Sequence, residues 1–214
     1  MATEVAPGVV QTRIAHAKIV YVEDANLLLD TGLADEWDAV REFVDDRGGV
    51  DRLFISHHHG DHVGNVDRVV ERYDPELYLP EDEPLDDVDF AGADVTEVSD
   101  GDELVDGITV ISIPGHTRGI AGLYLEEKAT LLASDMLDGA DRRGLPAGYL
   151  LPPPAQYNWD SERAEVGLSR LQDLDIETAV VTHGSNIESG VNEQLDRFLD
   201  FTDHYRQELL EQLS

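Results

Sequence analysis

A histidine-rich segment that directly follows an apolar, strand-like run limits the possible folds of this sequence more than any other feature. Residues 57–62 read His-His-His-Gly-Asp-His and come straight after Leu-Phe-Ile-Ser at 53–56. Residues two apart in an extended segment project to the same side, so His57 and His59 can bind one metal ion together. Once the chain has turned, the Asp-His pair at 61–62 can face a neighbouring ion. Imidazole and carboxylate groups suit zinc, iron and manganese.

Three later strand-like runs each end beside one more side chain that can bind metal: 108–113 before His116, 129–134 before Asp135, and 179–182 before His183. Loops held by a rigid sheet are where proteins usually carry chemistry. A single aspartate after a strand is most often a turn former. Four strand ends that together supply seven ligand-type side chains instead predict a metal site. The histidine run could instead be the remnant of an expression tag or a solvated polar loop. However, tags sit at termini, and this run follows a core strand.

Together these motifs resemble the metallo-β-lactamase-fold hydrolase superfamily. The resemblance rests on His-x-His-x-Asp-His at 57–62, Pro-Gly-His-Thr at 114–117, Ser-Asp at 134–135, Thr-His-Gly at 182–184 and Leu-Leu-Leu-Asp-Thr-Gly at 27–32. It covers about residues 17 to 186. It implies an α/β fold, the αβ/βα four-layer sandwich of that superfamily. We expect residues 1–214 to form a single domain of this kind.

The resemblance also implies which side chains bind metal. It assigns His57, His59 and His116 to a first ion, Asp61, His62 and His183 to a second, and Asp135 to a bridge between both. The expected cofactors are two divalent metal ions, zinc in the first place, with iron or manganese as alternatives. Asp30 is expected to support the metal loop, with a simple turn role as the alternative. His58 is expected to play a supporting or structural part, and His16 and His204 to lie at the surface.

A dinuclear site of this kind implies hydrolysis. Two metal ions ~3.5–4 Å apart can hold a water, lower its pKa to ~7 and polarise the bond that is cleaved. Asp61 and Asp135 are the expected catalytic residues, because either can orient the resulting hydroxide or shuttle its proton. Within the superfamily the motifs look most like hydroxyacylglutathione hydrolases (glyoxalase II). The expected reaction is therefore cleavage of a small-molecule thioester, lactone or related ester.

Two observations bear on the substrate. Only 31 residues follow His183, which we expect to suffice for one helix but not for the glutathione-binding helical domain of the glyoxalase II family. Glutathione itself is therefore not the expected substrate. The segment 136–158 is a candidate substrate loop, and it contains Arg142, Arg143, Tyr149, Tyr157 and Asn158.

Other functions on the same motifs remain open at this point. A persulfide dioxygenase of this fold would use one iron held by two histidines and a carboxylate, for which His57, His116 and Asp135 are available. The number of bound metals and the consumption of oxygen distinguish it from a hydrolase. A ribonuclease Z-like enzyme would need a long basic arm, which the sequence lacks. A non-catalytic metal-binding module is disfavoured because all seven ligands are present.

Composition excludes several other classes. The chain has no cysteine, so disulfides, zinc–thiolate sites and a cysteine nucleophile are ruled out. No apolar run approaches the ~18–20 residues that span a bilayer, and the N-terminus does not resemble a signal peptide. We therefore expect no membrane association and a cytoplasmic location. The acidity disfavours nucleic acid as a partner, and the oligomeric state is left open.

The charge of the chain is extreme, with a formal net value of −31 at pH 7. Lysine occurs only at positions 18 and 128. Such a surface repels itself in dilute buffer and destabilises the compact state. Disorder is the competing explanation, but 41% hydrophobic content and clear periodic runs oppose it. We interpret the chain as halophilic, adapted to a salty cytoplasm.

Hydrophobic periodicity predicts a mixed sheet-and-helix structure. Strands are expected at 9–14, 18–22, 26–30, 51–56, 76–79, 94–98, 108–113, 120–126, 129–134 and 178–182. Helices are expected at 34–47, 62–73, 161–173 and 190–212. The third should be capped by Asp160 or Ser161. The last carries an apolar stripe, which should dock on the sheet: Val191, Leu195, Phe198, Thr202, Tyr205 and Leu209.

The charge generates the first testable prediction, which is salt-dependent folding. The thermal unfolding midpoint should rise between about 0.1 M and 3 M potassium chloride, because the Debye length falls from ~10 Å to below ~3 Å and repulsion between carboxylates is screened. Circular dichroism at increasing salt measures it. A midpoint that stays flat or falls would remove the halophile interpretation.

Overall fold

Two β-sheets make the centre of the structure, a computed structural model that describes the backbone of residues 1–213 and side chains as far as residue 204. The first sheet follows the order of the chain: β1 (Thr3–Ala6), β2 (Val9–Ile14), β3 (Ala17–Val22), β4 (Leu27–Leu29), β5 (Arg52–Phe54), β6 (Glu76–Pro80) and β7 (Val95–Val98). Neighbours from β1 to β4 are antiparallel, and those from β4 to β7 are parallel.

The second sheet is built from the later part of the chain. Its strands are β8 (Glu103–Val105), β9 (Ile108–Ser112), β10 (Ala121–Leu125), β11 (Thr130–Ser134) and, after a short β12 (Asp138–Gly139) and β13 (Leu150–Leu151) pair, β14 (Thr178–Val181). Their spatial order is β14-β11-β10-β9-β8. Only β11 and β14 pair in parallel; the other neighbours in this sheet are antiparallel.

Five α-helices accompany the sheets in the described residues: α1 (Trp37–Asp45), α2 (Gly60–Val63), α3 (Val66–Tyr73), α4 (Ser161–Gly167) and α5 (Val191–Leu213). Short 3-10 helices lie at Ala34–Glu36, Glu126–Lys128, Ala140–Arg143, Ala155–Tyr157 and Leu168–Asp173. No helix in this part of the chain combines the length and the apolar character that crossing a bilayer requires.

The alternation of side chains along the strands explains the layers. In β3, Val20 and Val22 belong to the core between the sheets, whereas Ile19 and Tyr21 face the core beneath α1 and α3. In β11, Leu132 faces the core between the sheets, while its neighbours on either side face the core beneath α5 and the 3-10 helix Leu168–Asp173. Successive side chains of a strand point to opposite faces, so each central strand is buried on both sides. The result is helix, sheet, sheet, helix: the expected α/β four-layer sandwich.

All ten predicted strands are present, with ends that shift by one or two residues. The sequence analysis missed four short strands. Thr3–Ala6 and Glu103–Val105 are half exposed and carry little hydrophobic pattern, and Asp138–Gly139 and Leu150–Leu151 have only two residues each. The cap of α4 is Asp160, whose carboxylate accepts a hydrogen bond from the Arg163 amide at 3.0 Å. The last helix matches its prediction, and Val191, Leu195, Phe198 and Thr202 are buried or partly buried; Tyr205 and Leu209 lie outside the described side chains.

The predicted continuous helix at 62–73 is wrong, because the chain forms two helices separated at Gly64 and Asn65. A Cβ at Gly64 would lie 2.3 Å from the Ala34 amide nitrogen, so the chain there packs directly on neighbouring backbone. The Asn65 side chain donates hydrogen bonds to the carbonyls of Thr31 and Leu33 at 2.9 and 2.7 Å. These tertiary contacts outweigh the local helical periodicity and fix the turn that follows the histidine-rich segment.

Candidate metal centre

All seven candidate ligands come together at one edge of the sandwich, where several strands end. β5 leads to His57, β9 to His116, β11 to Asp135 and β14 to His183. Asp61 and His62 lie in α2, and His59 is the residue just before that helix. Among the described residues they form three overlapping groups, in each of which one ligand atom per residue lies within 4.8 Å of the others: His57 with His59 and His116; His57 with His62 and Asp135; Asp61 with His62 and His183.

The first group consists of three imidazoles. His57 Nε2 lies 3.1 Å from His59 Nδ1, and His59 Nδ1 lies 3.0 Å from His116 Nε2. Burial lowers the pKa of His57 well below its usual range, and burial with the neighbouring histidines lowers the pKa of His59 to about 4. These rings are therefore neutral at pH 7, and a neutral imidazole has the free lone pair that a metal ligand needs.

Asp61, His62 and His183, called the second group from here on, combine a carboxylate with two imidazoles. Asp61 Oδ1 lies 3.8 Å from His62 Nε2, and Asp61 Oδ2 lies 3.3 Å from His183 Nε2. Burial alone would lower the pKa of His62, but Asp30, Asp135 and Asp61 outweigh it and raise the pKa to about 9. Burial opposes the charged form of His183 as well, but hydrogen bonds to Asp135 and Asp61 raise its pKa to about 10. The carboxylates make this half of the site strongly attractive to positive charge.

Asp135 lies between the two groups. Its Oδ2 is 3.5 Å from His116 Nε2 and 3.3 Å from His183 Nε2, and its Oδ1 is 3.7 Å from His62 Nε2. The preceding Ser134 has a positive φ of 47°, a conformation unusual for a residue with a side chain. Asp135 thus lies beside ligands of both groups, and its role as a bridging ligand stays a prediction.

The ring nitrogens that face away from the centre are held by other side chains. Asp30 Oδ2 lies 2.7 Å from His62 Nδ1, and Asp30 Oδ1 accepts a hydrogen bond from the Ser56 amide at 2.8 Å. Asn158 Oδ1 lies 3.0 Å from His116 Nδ1. Such partners orient an imidazole so that its other nitrogen faces the metal position. The expected supporting role of Asp30 fits these contacts, and Asn158 contacts a candidate ligand rather than the cavity.

The loop that carries His183 is tied to the first sheet by Lys18 of β3. Its ammonium group donates to the Gly184 carbonyl at 2.7 Å and to Asn186 Oδ1 at 3.0 Å. Burial lowers the pKa of this lysine to about 8. One of the two lysines of the chain thus joins the N-terminal half of the sandwich to the C-terminal half beside the metal centre.

Two buried atoms without hydrogen-bond partners indicate, independently of the sequence motifs, that these side chains fit a divalent metal ion. His62 Nε2 and Asp135 Oδ1 are both buried and have no hydrogen-bond partner in the described structure. Leaving a buried polar atom unpaired costs about 1–3 kcal/mol, more when the group is charged. A cation shared by these two atoms would satisfy both, and the lack of cysteine limits the ligands to the nitrogen and oxygen donors present here.

Beside the ligands lies a cavity of about 330 Å³, lined by five of them together with His16, Gly60, Arg142 and Tyr157. Arg142 donates two hydrogen bonds to the buried carboxylate of Asp138, at 3.0 and 3.1 Å, and its guanidinium lies 5.6 Å from the centre of the Tyr157 ring. Two of the five candidate residues in the predicted substrate loop, Arg142 and Tyr157, line this cavity. Arg143 binds the Pro152 carbonyl instead, and Tyr149 is exposed without lining the cavity.

Sequence reasoning missed two residues of this region. His16, in the turn between β2 and β3, is exposed as expected, but its Nε2 lies 3.3 Å from Asp61 Oδ2 and its ring stacks on His183 with centroids 6.0 Å apart. Glu83 is buried and contacts His58 and Thr117. No motif marks either residue, since both reach the site from elements distant in sequence.

Comparison with known proteins agrees with this geometry. A family model described as the Metallo-beta-lactamase superfamily matches residues 14–183, which include all seven candidate ligands. A crystal structure of a metallo-beta-lactamase family protein from Thermus thermophilus has a TM-score of 0.69 and 21% sequence identity, and the match covers 99% of this chain and 84% of that one. That likeness shows a common fold.

Two curated relatives are similar over shorter regions. An uncharacterized protein of Aquifex aeolicus is 33% identical over 149 residues, which are 58% of this chain and 66% of that protein. A hydroxyacylglutathione hydrolase of Dechloromonas aromatica is 33% identical over 90 residues, 41% of this chain and 31% of the enzyme. The matches thus span less than two thirds of either relative.

The cluster geometry predicts the metal content of three variants. The purified chain should hold about two divalent ions, His116→Ala should lose the ion of the first group, and Asp135→Ala should weaken both. Elemental analysis after dialysis measures this. His204→Ala, an exposed histidine outside the three groups, is the control and should keep the full content. Full metal content in either of the first two variants would refute the ligand assignment.

Proposed function

Since this chain belongs to the Metallo-beta-lactamase superfamily, we propose that it is a metal-dependent hydrolase that cleaves a thioester, lactone or related ester. The observation that carries the proposal is the pair of orphaned buried atoms, His62 Nε2 and Asp135 Oδ1, at the point where the three ligand groups overlap. A catalytic rather than a structural centre is supported by the adjoining cavity, because a structural site needs no access for substrate.

We infer two metal positions from the donor atoms. His57, His59 and His116 would hold one ion, Asp61, His62 and His183 the other, and Asp135 would bridge them. Zinc suits this mixture of imidazole and carboxylate ligands, and iron or manganese suits it as well. When bound, the two ions would activate water as a nucleophile at neutral pH and polarise the carbonyl that is attacked.

The residues of the chain would orient the reactants around these ions. The Asp61 side chain is only partly buried and borders the cavity. Burial opposes its charged form, but a hydrogen bond from His183 and the nearby His62 lower its pKa, so it stays a carboxylate that can orient the attacking water. Asp135 is buried and is held between three imidazoles, which lower its pKa to about 2 against the opposing effect of burial. It therefore remains a carboxylate at any pH at which the protein would work, as a bridging ligand must.

The surroundings of the site favour direct attack by water over a covalent intermediate. The chain has no cysteine. The nearby Ser56 and Ser134 are buried, and their hydroxyl groups are 2.7 Å apart and bonded to the carboxylate of Asp30. Neither serine can meet a substrate in the cavity, so neither is available as a nucleophile.

The cavity wall points to an anionic substrate. Arg142 is the one lysine or arginine among the described residues that line the cavity, and Asp138 holds it in place. A guanidinium group binds carboxylates and phosphates through paired hydrogen bonds. Together with the Tyr157 ring, Arg142 would accommodate a small ester or thioester that carries a negative charge near an apolar group. The volume of about 330 Å³ corresponds to a small molecule.

The reaction itself is tested by isotope labelling. In water enriched in oxygen-18, a single turnover of a simple thioester or lactone should place one labelled oxygen in the carboxylate product, with no label in the chain and no acylated chain at any time, because water attacks directly. Mass spectrometry of product and protein measures the label and searches for an acylated chain. The Asp135→Ala protein is the control and should be nearly inactive.

Three results would contradict parts of this proposal. An acyl group covalently bound to the chain would refute direct attack by water. Strong preference for a glutathione thioester over simpler thioesters would replace the substrate class with that of the hydroxyacylglutathione hydrolases. Oxygen uptake with a persulfide, by a chain holding one iron, would replace hydrolysis with persulfide oxidation.

The substrate charge is tested by removing the cavity guanidinium. Arg142→Gln should raise KM about tenfold or more for an ester that carries a carboxylate, because a charged hydrogen bond contributes about 1.5–3 kcal/mol. The KM for a neutral ester of similar size should change much less. Arg143→Gln is the matched control, since its neighbouring guanidinium does not line the cavity. Equal effects on both substrates would refute the assignment.

A further inference from the structure

Glu83 is a buried carboxylate without a Lys or Arg partner among the described side chains. Its own side chain is fully enclosed, and its one ion-pair contact in that part of the chain is with His58. It lies after β6, outside every motif of the sequence. Burying a carboxylate away from water is costly unless hydrogen bonds compensate for the lost hydration. Because the loss of hydration destabilises a buried carboxylate, its presence here indicates a specific role.

The two oxygens of Glu83 bind two different loops of the metal centre. Oε1 accepts hydrogen bonds from the backbone amide of His58, at 2.9 Å, and from its ring Nδ1. Oε2 accepts hydrogen bonds from Thr117 Oγ1 at 2.7 Å and from the Gly119 amide at 2.8 Å. Four donors thus converge on one carboxylate, two from each loop.

Both loops carry ligands of the first group. His58 lies between His57 and His59, and Thr117 follows His116 directly. The second group is supported from elsewhere, since Asp30 lies 2.7 Å from the ring Nδ1 of His62. The carboxylate of Glu83 therefore connects the loop that carries His57 and His59 to the loop that carries His116.

Gly119 allows its loop to lie close to the backbone of Glu83. A Cβ there would lie 2.3 Å from the Glu83 amide nitrogen and 2.4 Å from the Asp82 carbonyl carbon. Only a residue without a side chain lets the two backbones approach this closely. The carboxylate consequently meets the loop at hydrogen-bonding distance with little freedom to shift.

We propose that Glu83 is a positioning residue that sets the spacing between His57 and His59 on one loop and His116 on the other, and so determines the metal affinity of the first site. The proposal rests on the metal centre inferred above and adds a residue that touches neither metal nor substrate. Its distinctive consequence is selectivity: loss of the carboxylate weakens one site and leaves the other unchanged.

The test is titration of the metal-free full chain with zinc against a chromophoric chelator. Glu83→Gln should weaken the first-site zinc affinity by about 10- to 100-fold, the range for partners that orient metal ligands, and leave the second-site affinity unchanged. The amide keeps the size of the side chain but has one acceptor oxygen, so one loop faces an N–H group instead. Glu81→Gln, an exposed glutamate two residues earlier, is the matched control and should bind zinc as the unaltered chain does.

A double substitution identifies which site is affected. In a His116→Ala background the first site is already lost, so adding Glu83→Gln should not change the zinc affinity that remains. If Glu83→Gln does not fold, Thr117→Val removes one of the four hydrogen bonds at nearly constant volume. It should weaken the first site alone, by a smaller factor.

The outcomes separate this proposal from the metal centre itself. Unchanged zinc binding by Glu83→Gln refutes the positioning role and leaves the metal centre standing. Equal weakening of both sites, in step with a lower unfolding midpoint of the metal-free chain, shows a general structural role and also refutes it. Failure of the unaltered chain to bind zinc, iron or manganese overturns the metal centre and the positioning role together.

Discussion

Burying carboxylates among imidazoles at one edge of the sandwich costs free energy of hydration. The contacts around the candidate metal centre compensate for that loss. Asp135 is buried between three histidines, and His62 Nε2 beside it has no hydrogen-bond partner within the described structure. Such an arrangement needs compensating positive charge, from protonated imidazoles or from a bound cation, and each ring must be held against the repulsion of its neighbours. The candidate ligands and the side chains that hold them therefore depend on one another electrostatically.

The supports of the two halves differ in kind. The second group depends on Asp30, whose carboxylate contacts His62 and the Ser56 amide, so the loop after β4 supports the loop after β5. The first group touches the same network, since Ser56 Oγ lies 3.0 Å from His57 Nδ1, but it also has contacts from loops distant in sequence, through Glu83 and through Asn158 behind His116. Under the positioning role proposed for Glu83, these additional contacts would allow the first site to change affinity without the second. They also place Asn158 at the junction between the candidate substrate loop and the first group.

Local pattern predicted the strands well and the helices less well, for a physical reason. Each central strand is buried on both faces, so its residues are apolar whatever their neighbours, as in β10 and β11. Helix ends depend instead on tertiary contacts. The segment 62–73 has helical periodicity throughout, yet it breaks where Gly64 packs on the backbone of residue 34 and Asn65 binds the loop after β4. No signal within the segment itself records those partners.

The layered α/β fold and the chemistry of the candidate centre could be predicted from the sequence, because ligand identity and the apolar runs before each ligand are local properties of the chain. What holds the ligands in place, and what the cavity recognises, depends on tertiary packing. Glu83 and His16 reach the site from elements far away in the chain. Arg142 lines the cavity and binds Asp138, whereas Arg143 binds the Pro152 carbonyl. These contacts depend on how the two sheets and their loops pack together, and spacing along one sequence does not encode them.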